Sequence, residues 1–180
     1  MKRTLEGTLR NPDPDTSLSV WKGLGWGVIG GLTGTLIMDL VLMGAFSAFG
    51  APAMTCFSIV GNTMARFFSI QCMEVGRAIL TGVATHYIVG PVFGAIYGMA
   101  VARIKTLRVH TMKKSILLAI LYVEILSQPL LATTPILMKM ALPATLLWYG
   151  GSFLMHMIVG AVLGEIVGRG LRLTAAINHR

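Results

Sequence analysis

His86-Tyr-Ile-Val-Gly90-Pro-Val-Phe-Gly94-Ala-Ile-Tyr-Gly98 is the stretch from which the fold of this chain is read, because it occurs twice. Seventy residues on, the chain reads His156-Met-Ile-Val-Gly160-Ala-Val-Leu-Gly164-Glu-Ile-Val-Gly168. Between 83–98 and 153–168 eight of sixteen positions are identical, among them the histidine and all three glycines. Both copies lie inside long apolar runs, so each reads as a membrane-spanning helix. Glycines four apart share one stripe of a helix, where the missing side chains let a neighbouring backbone come close, the GxxxG mode of packing. The histidine sits one turn before the first glycine, roughly on that stripe. The spacing predicts a duplicated helix pair whose second helix carries an inward histidine on a glycine seam.

Composition places the whole chain in the same class. Of 180 residues, 54% are apolar and only 12% charged, with a mean hydropathy of +0.74. A soluble domain has about 25% charged residues. Four apolar runs use most of the length and leave no room for a separate soluble domain.

The net charge of +8 raises nucleic acid as a partner, but the positions of the charges argue against it. Twelve Lys and Arg precede the first run, follow the fourth, or fall between the second and third; only Arg66, Arg77 and Lys139 lie on the other side. Short loops rich in Lys and Arg stay cytoplasmic, so both termini are expected there, with the basic loops against anionic headgroups. The first apolar run begins near Leu24 and is too long for the core of a cleavable signal, so it is expected to remain as a span.

Taken in order, residues 1–20 read as a polar cytoplasmic arm and 21–172 as a four-helix transmembrane domain. The spans are expected at about 24–49, 78–102, 115–138 and 144–167, with a cytoplasmic tail at 173–180. In the first span Gly23, Gly27, Gly31 and Thr35 form a small-residue stripe that ends in Asp39. A charge at that depth costs about 2.5–3.5 kcal/mol on insertion scales, so Asp39 should face protein rather than lipid. The segment 50–77 is too interrupted to cross the bilayer but rich in Phe, Ile and Met, which predicts an interfacial helix or a lid over the bundle mouth. Cys56 and Cys72 both fall in it and are a candidate disulfide; the competing reading is two unpaired thiols. Pro91 falls inside span two, and span three holds Glu124, Ser127, Gln128, Pro129 and Pro135. Glu165 reads as an interfacial partner of Arg169, one turn on. Each repeat has two spans, so both copies enter the membrane in the same direction, a parallel repeat about an axis along the membrane normal.

The polar groups inside the spans are Asp39, His86, Glu124 and His156. Counting from the outer boundary puts each acid within a helical turn of the histidine in its own repeat, so Asp39 with His86 and Glu124 with His156 are expected pairs. Four readings of this cluster stay open. The first is structural: the pairs satisfy themselves and fix helix register, while Gly27, Gly31, Gly90, Gly94, Gly98, Gly160, Gly164 and Gly168 supply packing, in a homo-oligomer or an accessory subunit of a larger membrane complex. The second is proton- or ion-coupled transport. The third is a b-type haem between His86 and His156, in an electron-transfer subunit. The fourth is a metal bound by the four polar residues, with Met155 or Met157. Annular lipid is the partner expected in every case. There is no Gly-rich phosphate loop, no His-Glu-x-x-His, no Cys-x-x-Cys and no nucleophile elbow, so no enzyme chemistry is expected.

Gly82-Val-Ala-Thr-His86 followed by Val-Phe-Gly94-Ala-Ile-Tyr-Gly98, and the ending His156 … Gly164-Glu-Ile … Arg169 … Arg172, resemble segments of small inner-membrane proteins of the YagU type from bacteria and archaea. The similarity covers about 80–105 and 150–172. It implies a multispan protein of a prokaryotic inner (plasma) membrane, loosely associated with acid tolerance, and carries over no catalytic residues.

Overall fold

The computed structural model describes residues 19–70, 73–107 and 111–178, and all of its regular structure is helical. Five α-helices follow in order: α1 (Val20–Ala48), α2 (Thr55–Phe67), α3 (Val75–Arg103), α4 (Met112–Met138) and α5 (Leu142–Asn178). A short 3₁₀ turn, Lys105–Leu107, lies between α3 and α4. Helices α1, α3, α4 and α5 are each long and apolar enough to cross a membrane. The arm before residue 19, Cys72 and the disulfide considered for it lie outside the described residues. Helix α5 runs on to Asn178, past the expected end of its span at 167.

Large apolar side chains such as Leu40, Leu80, Leu117, Leu121 and Leu147 stand exposed on the outer faces. In water such a surface would aggregate; against lipid tails it is the natural exterior, and it makes this an integral, multi-pass membrane bundle. Within lipid no hydrophobic force draws helices together, so the contacts must come from close fit. Helix α1 supplies two such faces. On one, Gly23, Gly27 and Gly31 lie against Gly98, Gly94 and Gly90 of α3, so close that a Cβ at any of them would overlap the partner backbone or, at Gly90, the Thr35 hydroxyl. On the other, Gly30 and Gly34 meet Leu163 and Val159 of α5. Helix α5 in turn lays Gly160, Gly164 and Gly168 against Ile120, Ile116 and Ser115 of α4. The four long helices therefore form a row, α3–α1–α5–α4, that curls on itself.

Hydrogen bonds close the ring at the end that carries both termini. Tyr97 Oη of α3 donates to Ser115 O of α4 at 3.0 Å, and Tyr122 Oη of α4 donates to Phe93 O of α3 at 2.8 Å. Ser115 Oγ donates to Gly164 O of α5 at 2.6 Å. Tyr97, Val101, Leu163 and Val167 are all but fully buried there. Towards the other end the ring opens, and α2 stands beside the gap. It is bound firmly to α3, with Gly61 against Ala78 and Gly82 against Phe57. Its reach to α4 is lighter, through Arg66 Nη1, which donates to Leu137 O at 2.6 Å and so satisfies one of the free carbonyls at the end of α4.

The prolines are accommodated locally. Pro135 has no N–H to offer Leu131 O four residues earlier. Trp148 Nε1 of α5 donates to that carbonyl instead, at 3.2 Å. Helix α4 starts at Thr111, whose Oγ1 accepts from Lys114 N at 3.3 Å, and ends at Lys139 in the left-handed region, φ 52°.

Candidate functional site

Where the ring opens, the helices enclose a chamber of about 480 Å³. That volume lies in the range of about 300–1,000 Å³ usual for small-molecule sites. All five helices contribute to its wall. Met38, Val159 and Leu163 lie at the inner end, next to the packed core. Phe49 and Leu147 also line it, yet stand largely exposed, so the chamber meets the surface between the outer ends of α1 and α5.

The wall is nearly all apolar, and its polar groups are mostly occupied. Six hydroxyl side chains line it, and four of these give their protons to carbonyls of their own helices: Thr63 to Ile59 O, Thr85 to Thr81 O, Ser127 to Glu124 O and Thr134 to Leu130 O. Thr35 and Ser152 are the other two. The remaining polar surfaces are two imidazoles, His86 from α3 and His156 from α5.

His86 is held from behind. Its Nδ1 lies 2.8 Å from Asp39 Oδ1 of α1, and Asp39 is 2% exposed. Phe57 of α2 packs on the ring, with centroids 5.3 Å apart at 59°. The placement follows from the glycine seam. Gly31 sits opposite Gly90, so Thr35 and Asp39 continue up α1 past the His86 level, and the carboxylate reaches down to the ring. Nε2 of His86 has no hydrogen-bond partner among the described residues. Asp39 Oδ2 is buried and has no hydrogen-bond partner among the described residues.

The second expected pair is not formed. Glu124 is 9% exposed, and among the described residues both of its carboxylate oxygens lack a partner, as does His156 Nδ1. Register explains the difference. Ile120 opposes Gly160 as Gly31 opposes Gly90, so Glu124 stands at the level of Thr35, and the counterpart of Asp39 is Gln128. Gln128 is exposed. Among the described residues, no three of His, Cys, Asp and Glu converge as a metal-binding group.

Sequence reasoning missed two contributors, Trp148 and the second glycine face of α1, and left Cys56 open between a disulfide and an unpaired thiol. Cys56 lines the chamber as a buried free thiol, and burial, reinforced by the Asp39 carboxylate, pushes it up to about 12. A thiol in that state is a packing residue rather than a nucleophile. Trp148 lines the chamber through its bond to Leu131 O, which could have been sought from the proline pattern. Gly30 and Gly34, the second face of α1, were readable as a further four-residue spacing. Comparison with protein-family models, with curated proteins and with solved structures finds no match to this chain.

Proposed function

We propose that this protein is a membrane-embedded binding protein or carrier that takes a small apolar molecule from the bilayer into its chamber, with His86 as the polar anchor and Asp39 as the residue that positions it. The observation that carries this reading is an imidazole, oriented by a buried carboxylate, on the wall of an otherwise apolar cavity of about 480 Å³ that opens beside Phe49 and Leu147. Both residues at the mouth are apolar and exposed, which suits entry from the bilayer. Helix α2 then serves as a lid fixed to α3, with Arg66 as its latch on α4. The two helix pairs act as parallel repeats of which only the first has an acid on its histidine. The excess of Lys and Arg in the loops on one side supports cytoplasmic termini.

A purely structural role, as accessory subunit or homo-oligomer, draws less support. The glycine seams already set the register at the closed end, and packing alone gives no reason for an open half. Proton-coupled transport is the second reading, and the Asp39–His86 unit, able to gain or lose a proton at the chamber wall, favours it. The haem reading has the two imidazoles in its favour, but the residues that line the chamber include no Lys or Arg for the propionates.

The test is extraction and mass spectrometry of the protein purified in mild detergent, compared with Gly151→Phe. Gly151 lines the chamber, and a Cβ there meets nothing within 4 Å, so a side chain can leave the backbone at that point without a clash. A discrete apolar molecule near one per chain, lost in the variant, supports the reading. The same lipid profile from both proteins overturns it.

A further inference from the structure

The chamber wall also restricts what the head of the bound molecule can be, an argument that rests on the binding reading above. Asp39 is an acceptor when ionised, so with no extra proton on the pair His86 Nδ1–H donates to it and Nε2 faces outward as an acceptor. With one extra proton on the pair, Nε2 carries hydrogen and donates. The imidazole therefore shows the chamber an acceptor in one state and a donor in the other. An ether or ketone head can only accept, so it is matched in one state and leaves Nε2 unpaired in the other. An anionic head finds no Lys or Arg on the wall and has the Asp39 carboxylate behind the ring. A cationic head would need Asp39 itself, which is 2% exposed and shielded by His86. A hydroxyl donates and accepts, and so pairs with Nε2 in both states. Of the six wall hydroxyls, those of Thr63, Thr85, Ser127 and Thr134 do not compete for this role, because their protons are given to backbone carbonyls, while Thr35 and Ser152 are left to offer the same head a second bond.

From these observations we infer that the ligand of the chamber is an apolar molecule with a hydroxyl head, seated with the oxygen against His86 Nε2 and the body along α1 and α5 towards the mouth. A phenol or an alcohol on a hydrocarbon chain has this form. His156, on the facing wall, borders the same head region and contributes shape rather than the anchoring bond.

Three probes matched in body and differing only in the head decide the point: 4-nonylphenol, 4-nonylanisole and nonylbenzene. Each is titrated into the detergent-solubilised full chain, and quenching of Trp148, which lines the chamber, is followed, with Trp148→Phe as the blank. The expected result is saturable binding of all three, with the phenol at least tenfold tighter than the other two. That preference should collapse in His86→Phe and persist in His156→Phe. Because the comparison of heads is made on the native protein, it stands even if His86→Phe does not fold, and Asp39→Leu/His86→Phe, which leaves no Asp39 carboxylate unpaired, then serves in its place. Equal affinity for phenol and anisole overturns the inference while leaving the apolar chamber in place. A phenol preference that depends on His156 and not on His86 also overturns it. Saturable binding by none of the three removes the binding reading itself.

Discussion

Replacing Gly94 by alanine sets backbone packing directly against helix propensity. A Cβ on Gly94 would overlap Gly27 O and lie 2.9 Å from both Cα and N of Gly31. None of these atoms can rotate away, so α1 and α3 must separate by roughly 1 Å, a gap that forfeits a quarter to a half of the dispersion well for atoms along the seam. Overpacking of this kind costs about 1–3 kcal/mol. Alanine is a better helix former than glycine by about 0.5–1 kcal/mol, which offsets part of the cost and leaves a net loss of about 0.5–2. Gly44→Ala is the matched control on α1: the site is exposed and a Cβ there meets nothing within 4 Å, so only the gain of about 0.5–1 kcal/mol remains. Reversible unfolding in mixed micelles, followed by circular dichroism, should therefore separate the two variants by about 1–3 kcal/mol, with opposite signs relative to the native chain. The double variant Gly27→Ala/Gly94→Ala should lose less than the sum of its parts, since one substitution has already opened the seam for the other. Equal stability of Gly94→Ala and Gly44→Ala would refute the close approach of α1 and α3.

Four further outcomes are expected. His86→Phe leaves the Asp39 carboxylate buried without its partner and should destabilise by about 3–5 kcal/mol, whereas Asp39→Leu/His86→Phe should recover much of that; the same micelle unfolding assay measures both. Trp148→Phe strips Leu131 O of its donor and should cost about 1–3 kcal/mol, and Pro135→Ala in the same chain should restore the loss by supplying a backbone N–H; a double-mutant cycle that shows no coupling would remove the explanation. Cys56, raised from an ordinary 9.0 to about 12, holds its proton in the folded chain where the unfolded chain has lost it, so stability should fall as pH rises through that window, by up to about 1.4 kcal/mol per unit, and Cys56→Ala should flatten this slope. In a Cys72→Ala background, maleimide at neutral pH should label Cys56 only on unfolding, as mass spectrometry of the labelled chain would show.

Much of the architecture was legible in the sequence because membranes impose simple rules. Unbroken apolar length marks the four spans, and their ends agree with α1, α3, α4 and α5 to within a few residues, apart from the longer C-terminal end of α5. The segment between the first two spans was readable as a helix too polar to cross, and α2 is that helix. Register was harder to read. Residue counts from an estimated boundary cannot say which acid meets its histidine: Asp39, a turn beyond the His86 level, reaches the ring, while Glu124, level with His156, does not. The glycine contacts fix register in a way that counting cannot, because they state which residue faces which. The chamber was not legible at all. It arises where helices diverge beyond their glycine seams, and a gap between side chains from five elements has no signature in any one of them.

Helix α1 touches both α3 and α5 through small residues, and this bears on how the chain is made. As α1 leaves the ribosome, neither of its glycine faces has a companion. The first is covered once α3 has been inserted, but the face of Gly30 and Gly34 waits for α5, made after α3 and α4. Throughout that interval a bare stripe in the first helix marks the nascent chain as unfinished, open to whatever membrane chaperones or proteases survey such surfaces. A chain stopped short of α5 thus leaves this face of α1 uncovered.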